Sequence, residues 1–106
     1  MTINVEKKDK YCVISIAGRL DASTSGEFEE QLIKKLEEGE VDIVINFTDL
    51  DYISSSGLRV LLVGAKKIKA ANKKMVLAGL KKHIYEVFEI AGFTPIFEIV
   101  DSIANL

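Results

Sequence analysis

Three adjacent serines and a glycine, Ser54-Ser55-Ser56-Gly57 in "LDYISSSGLRVLL", are the residues of this chain best placed to do chemistry. The stretch starts like the end of a strand. Leu58, Leu61 and Leu62 then follow at the spacing of a helix. Hydroxyls at such a junction can cap the helix, bind an anion, attack a substrate or accept a phosphate. Orphan backbone N–H groups and the positive end of the helix dipole gather there. Capping is the ordinary use of these serines, worth about 1 kcal/mol, and one hydroxyl of the three suffices for it.

Each alternative makes its own demand on the rest of the sequence. A nucleophilic serine needs a base within hydrogen-bond reach. The single histidine, His83, stands in "KKH", the setting of a solvated residue at a helix start, and the G-x-S-x-G elbow is absent. A lysine-activated serine stays open. A P-loop would need its glycines and a terminal GK[ST], which are missing. One cysteine and one histidine exclude an intrachain disulfide and a Cys/His zinc site. No catalytic residue, metal or cofactor is therefore assigned. Phosphorylation has the better physical case. A phosphoserine carries a charge of about −2, which a helix N-terminus tolerates. The fold need not change, yet a neutral patch becomes anionic. Asp49 and Asp51 precede the serines, and Asp21 is expected near them in space. A partner built for the neutral surface would meet repulsion.

The elements that must position this loop read as β-β-α-β-α-β-α with a small tail. Ile3 and Val5 alternate with polar residues, as in an edge strand, and Lys7–Lys10 form a turn. Tyr11–Ala17 is a more central strand, antiparallel to the first. Thr24-Ser25-Gly26-Glu27 fits a capping box. Phe28, Leu32, Ile33 and Leu36 then share one helical face, and Gly39 is placed to stop the helix. Val41–Phe47 is a strand, and "TDLDYISSSG" reads as a polar connection with a few apolar anchors. Gly57–Ala71 forms a second helix with Leu58, Leu61, Leu62, Ala65 and Ile68 on its core stripe and Asn72 as its stop. Gly57 permits a tight turn and a close backbone approach. "KMVLAG" is a strand. A third helix begins after Leu80, with Ile84, Val87, Phe88 and Ala91 inward and Gly92 closing it. "PIFEIV" reads as a short extended segment, with Asp101 capping a brief terminal helix. Strands alternating with helices imply parallel pairing, so the sheet is mixed. The expectation is an α/β fold, one domain over residues 1–106. Its mainly parallel sheet has about four strands with an N-terminal antiparallel hairpin strand, packed with three to four helices.

At 106 residues, 48% hydrophobic and 28% charged, the chain reads as globular and able to bury a core without disulfides. A net charge of −2 without a basic stripe argues against a nucleic-acid binder. "MTINVEKKDK" has no apolar signal region, and the apolar stretch Val60–Ala65 is too short to span a bilayer. Cys12 reads as a buried, inert thiol. A cytoplasmic protein without direct membrane insertion is expected.

"LDYISSSGLRVLL" resembles the signature of STAS domains, specifically the bacterial anti-sigma factor antagonists. "GRLDASTS" matches that family's other loop, a G-x-L/I-D step into the first helix. "MVLAGLKKHIYEVFEIAGFTPIFEI" is similar to its third helix and ending. The resemblance covers essentially the whole chain. It implies a protein-binding module that, unphosphorylated, binds an anti-sigma factor which is also a serine kinase of the histidine-kinase-like ATPase fold. That binding frees a sigma factor. The kinase phosphorylates a serine of the loop and releases the antagonist, and a PP2C-like phosphatase resets it. The antagonist is substrate, not enzyme. Aligned on Gly57, the acceptor is Ser55, with Ser54 and Ser56 as lesser candidates. Ser54 stands where the family usually has aspartate. Asp21, Ser23, Thr24, Ser54, Ser56, Gly57 and Arg59 are the implied partner-binding residues. Asp21 reads equally as a turn or pre-helix cap residue, and Arg59 equally as a solvated first-turn arginine. Lys66, Lys67 and Lys69 read as an exposed helix face, and Phe93 and Phe97 as core. Two other functions compete: a STAS subunit of a lipid-transport or signalling-scaffold complex without a phospho-switch, and a serine-nucleophile enzyme.

Overall fold

The structure, a computed structural model, describes residues 1–8, 10–38 and 41–106. β1 (Thr2–Lys7) and β2 (Tyr11–Leu20) form the antiparallel hairpin. α1 (Ser25–Glu38), β3 (Asp42–Ile53), α2 (Ser55–Ala70), β4 (Met75–Ala78), α3 (Lys82–Ile90) and β5 (Glu98–Val100) follow, with a 3₁₀ turn at Ile103–Asn105. The sheet order is β1-β2-β3-β4-β5, and every pair after the first is parallel. The expected mixed sheet is thus present with a fifth strand, supplied by the segment read as merely extended.

Side chains alternate across the sheet and sort its two faces. Ile14, Ile16, Ile43, Ile45, Phe47 and Leu77 meet residues of all three helices, among them Phe28, Leu32, Leu61, Ile84 and Phe88. Val13, Val44, Val76 and Ala78 form a smaller cluster on the other face, joined by Ile103 of the terminal turn. Phe88 meets Phe47 and Phe97 edge-to-face, and Phe93 packs half-buried beside Phe97. Phe97 is therefore core, as its sequence setting implies, and Phe93 packs against the core only partly buried. Cys12 is free and buried, and burial pushes its thiol up from 9.0.

Five local readings are corrected. β3 does not end at Phe47 but continues to Ile53, so the connection to α2 shrinks to Ser54. The cause is the pairing with β2, which runs on to Leu20↔Ile53 through two register shifts. Thr24 does not cap α1. Its hydroxyl turns back, donating to the Arg19 carbonyl at 2.8 Å and accepting the Asp21 N–H at 2.9 Å. α2 opens at Ser55, two residues earlier than expected. Ser102 rather than Asp101 caps the terminal turn, accepting the Ala104 N–H. Ala91, expected inward, is exposed, and Ile33 is half-buried. The helix stops at Asn72 and Gly92 hold. Both have positive φ, and paired N–H bonds onto the last turn (Lys73 to Ile68 and Phe93 to Phe88) close each helix. The stop assigned to Gly39 lies outside the described residues.

Candidate functional site

Two loops meet where β2 and β3 end. The Ser54 backbone N–H donates to the Leu20 carbonyl at 2.9 Å. That bond extends the β2–β3 ladder by one residue and places Asp21 and Ser55 each one residue beyond it. Gly57 makes the close approach possible. It lies buried in the first turn of α2, where a Cβ would meet Leu20 Cγ at 2.8 Å and Ile53 Cγ1 at 2.9 Å. Close helix–strand contact, rather than a special turn, is what requires glycine here.

The three serines divide their roles. Ser54 is the N-cap: its backbone is extended and its hydroxyl accepts the Gly57 N–H at 3.4 Å. Ser56 is half-buried, and Ser55 is exposed. Among the described residues, the Ser55 hydroxyl makes no hydrogen bond to the rest of the chain. It lies at the first helical position, among N–H groups that have no partner within the helix.

The neighbouring loop is built around the Asp21 carboxylate. It accepts the Ser23 hydroxyl at 2.7 Å and the Ser23 N–H at 3.0 Å, and Arg19 Nε lies at 3.5 Å. The Ser23 hydroxyl holds the Asp21 carboxyl below its ordinary value; burial opposes it, and the Ser23 N–H, Thr24 and Arg19 assist. The Asp21 carbonyl accepts the Ser25 N–H and the Ser25 hydroxyl, so the residue is also the turn element that starts α1. The turn or pre-helix reading of Asp21 is therefore the one the hydrogen bonds express.

Arg19 also lies over the ring of Tyr52, its strand partner in register, 4.2 Å from the centroid. Behind Tyr52, Asp51 is the extra residue of the second register shift, between Leu50 and Tyr52. Its carboxylate pairs with Lys81 and its carbonyl meets His83 Nε2 at 2.6 Å. The Lys81 hydrogen bond and charge hold the Asp51 carboxyl below its ordinary value. His83 is thus occupied with the end of β3. Arg59 sits on α2 with its guanidinium 3.5 Å from the Glu29 carboxylate of α1. Asp49 is exposed on the opposite face, beside Asn46 and Ser15.

Of the residues singled out by sequence, Asp21, Ser23, Thr24, Ser54, Ser55, Ser56 and Gly57 gather at this end, with Arg59 one turn along α2. Arg19, Tyr52 and Lys81 escaped notice. Arg19 stands in the quoted "GRLD", but its stacking on Tyr52 depends on a strand register that no local motif encodes. Among the described residues, no group of three or more His, Cys, Asp or Glu side chains is arranged to hold a metal ion. No described helix is long and apolar enough to cross a membrane.

The chain has relatives over nearly its whole length. It is 36% identical over 102 residues to BtrV of Bordetella bronchiseptica, to which an anti-sigma factor antagonist role is ascribed, covering 96% of this chain and 88% of that one. It is 29% identical over 101 residues to the anti-sigma-B factor antagonist of Staphylococcus aureus, covering 93% and 94%. The fold matches SpoIIAA, an anti-sigma factor antagonist and Bacillus cell fate determinant. Its unphosphorylated form aligns at a TM-score of 0.77 and 20% identity, covering 98% of this chain and 92% of that one. Its phosphorylated form aligns at 0.73 and 22%, covering 92% and 90%. The family model of the STAS domain matches residues 2–106, which takes in every strand and helix described above. This chain belongs to the STAS domain family.

Proposed function

We propose that this protein is an anti-sigma factor antagonist acting as a single STAS domain in the cytoplasm, a binding module rather than an enzyme. Unphosphorylated, it docks the Asp21 and Ser55 loops on an anti-sigma factor that is also a serine kinase of the histidine-kinase-like ATPase fold. Phosphorylation of Ser55 ends the contact, and a PP2C-like phosphatase restores it. The observation that carries this reading is the division of labour among the serines. Ser54 supplies the cap, which leaves Ser55 exposed, uncommitted and adjacent to Asp21.

The energetics favour a switch in binding without a switch in fold. A phosphate of about −2 charge on Ser55 faces the dipole end and unpaired N–H groups of α2, which stabilise it locally. The same charge lies beside Asp21, so a partner surface that meets Asp21 in the neutral state meets a far more anionic patch afterwards. Ser54 replaces the carboxylate usual in the family but keeps a side chain of comparable capping ability. The phosphate therefore has no acidic neighbour at the preceding position.

The test is a capture experiment from lysate of the source cell with wild type, Ser55→Ala and Ser55→Asp as baits, the bound proteins being identified by mass spectrometry. An ATPase-fold kinase retained by wild type and Ala and lost by Asp is the expected outcome. A transporter or scaffold subunit held equally by all three baits would refute the phospho-switch.

A further inference from the structure

The charges of this chain are unevenly distributed. Residues 52–85 contain eight of the fourteen Lys and Arg and none of the sixteen Asp and Glu. The segment therefore carries +8 and the remainder −10, which together give the net −2. Five of the eight, Lys66, Lys67, Lys69, Lys73 and Lys74, cluster at the C-terminal end of α2 and the turn into β4. None of the five forms an ion pair with a described residue. The Asp42 carboxylate is close, but what it accepts is the Lys74 backbone N–H.

Beside these lysines runs a groove of about 200 Å³ between α2 and the chain entering β5. Its floor is apolar: Ile68, Met75 and Phe97 line it. Ile96 forms one wall and is 50% exposed, although Phe97 next to it is buried. Lys69, Lys73 and Lys74 form the rim, and Glu98 is the only acidic residue lining it among the described residues. Ser55 and Ala70 mark opposite ends of α2, about 22 Å apart at 1.5 Å per residue, so this groove is remote from the serine loop.

We propose that this groove is a second docking site and that its occupant is an acidic, amphipathic peptide segment of a protein partner. Charge complementarity selects an anionic occupant. The lysines form no ion pair with a described residue, and they sit at the negative end of the α2 dipole, where their own charge is favoured. Concavity and the apolar floor select a peptide over a flat lipid surface: apolar side chains can enter beside Ile96 while carboxylates reach the rim. Lysines around an apolar slot also give selectivity, because a peptide without apolar residues gains only screened attraction.

The test uses the whole chain and a synthetic twelve-residue peptide, DDLFEELIDDFE, labelled at its N-terminus. Its controls are a peptide of the same length with every apolar residue replaced by Ser, and vesicles of phosphatidylserine and phosphatidylcholine. The expected result is saturable binding by fluorescence anisotropy, with amide shifts confined to residues 65–75 and 96–98. Lys69→Glu with Lys73→Glu is expected to weaken binding at least about tenfold, and Ile96→Ser to weaken it severalfold. Lys69 and Ile96 are exposed and Lys73 is half-buried, and circular dichroism checks that the variants fold. The proposal is overturned by no binding at millimolar peptide, by equal binding of the serine-substituted control, by indifference to both sets of substitutions, or by vesicle binding without peptide binding.

Discussion

The Arg59 guanidinium lies 3.5 Å from the Glu29 carboxylate and on the same face of α2 as Ser55, four residues earlier. Both partners of the pair are substantially exposed, so it contributes at most about 1 kcal/mol. An arginine one turn from the proposed phosphosite is held only weakly by its present partner, and it is within reach of a phosphate on Ser55. With phosphoserine installed at position 55, the second phosphate ionisation, ordinarily at about pH 6, is expected lower in wild type than in Arg59→Gln. A ³¹P titration reads this directly. Equal values in the two proteins would show that the guanidinium stays with Glu29.

The serines should separate cleanly by stability. Ser54→Ala removes the cap and is expected to cost about 0.5–1 kcal/mol, the lower part of the range because its bond to Gly57 is long at 3.4 Å. Ser55→Ala loses no internal bond and should lie within about 0.5 kcal/mol of wild type. Urea denaturation at fixed pH measures both. A larger cost for Ser55→Ala than for Ser54→Ala would reverse the assignment of cap and free hydroxyl.

Three glycines carry opposite expectations for the same substitution. At Gly57 a Cβ would meet Leu20 and Ile53 under 3.0 Å, and at Gly64 it would meet Leu32 Cδ2 at 2.7 Å. Each change to Ala is expected to cost about 1–3 kcal/mol through overpacking. At Gly26 a Cβ meets nothing within 4 Å, so Gly26→Ala should stabilise α1 by about 0.5 kcal/mol. The shift of the urea midpoint gives the sign in each case.

Asp21 and Asp51 set an acid limit. Both carboxyls are held below the ordinary 3.8, Asp21 chiefly by the Ser23 hydroxyl and Asp51 chiefly by Lys81. A carboxyl depressed in the folded state stabilises it above the unfolded value, and the contribution disappears as pH falls through the lower folded value. The stability difference between wild type and Asp21→Asn, or Asp51→Asn, is therefore constant well above pH 3.8 and shrinks below it. Unfolding curves at stepped pH, with carboxyl ¹³C titrations to assign the groups, test this. A difference that grows on acidification would contradict it.

Helices were legible because their apolar spacing survives folding: Phe28 with Leu32, Leu58 with Leu61, and Ile84 with Phe88 are buried as the period requires. The end of β3 was not legible, for a specific reason. Its inward residues are Phe47, Leu50 and Ile53, three apart rather than two, because each register shift against β2 adds one residue to β3. A strand with two bulges imitates an irregular loop. The first bulge is braced by Asn46, whose carboxamide oxygen accepts both the Thr48 N–H and its hydroxyl. The second bulge turns Asp51 toward Lys81 and His83. The serine loop and the Asp21 loop could be read because their residue types announce a helix start. Lys81, Tyr52 and Arg19 join the site only through this bulged register. Thr24 misled because a hydroxyl that fits a cap found a nearer carbonyl at Arg19.

The strand order of the sheet equals the order of the strands in the chain. Each strand leaving the ribosome therefore finds its neighbour already made, and no later strand must be inserted between two earlier ones. The free edge of β2 can wait until β3 arrives, and then β4 and β5 add in turn. The domain can assemble vectorially during synthesis, and the end of β3 with its serine loop is seated on β2 before the last third of the chain has been made.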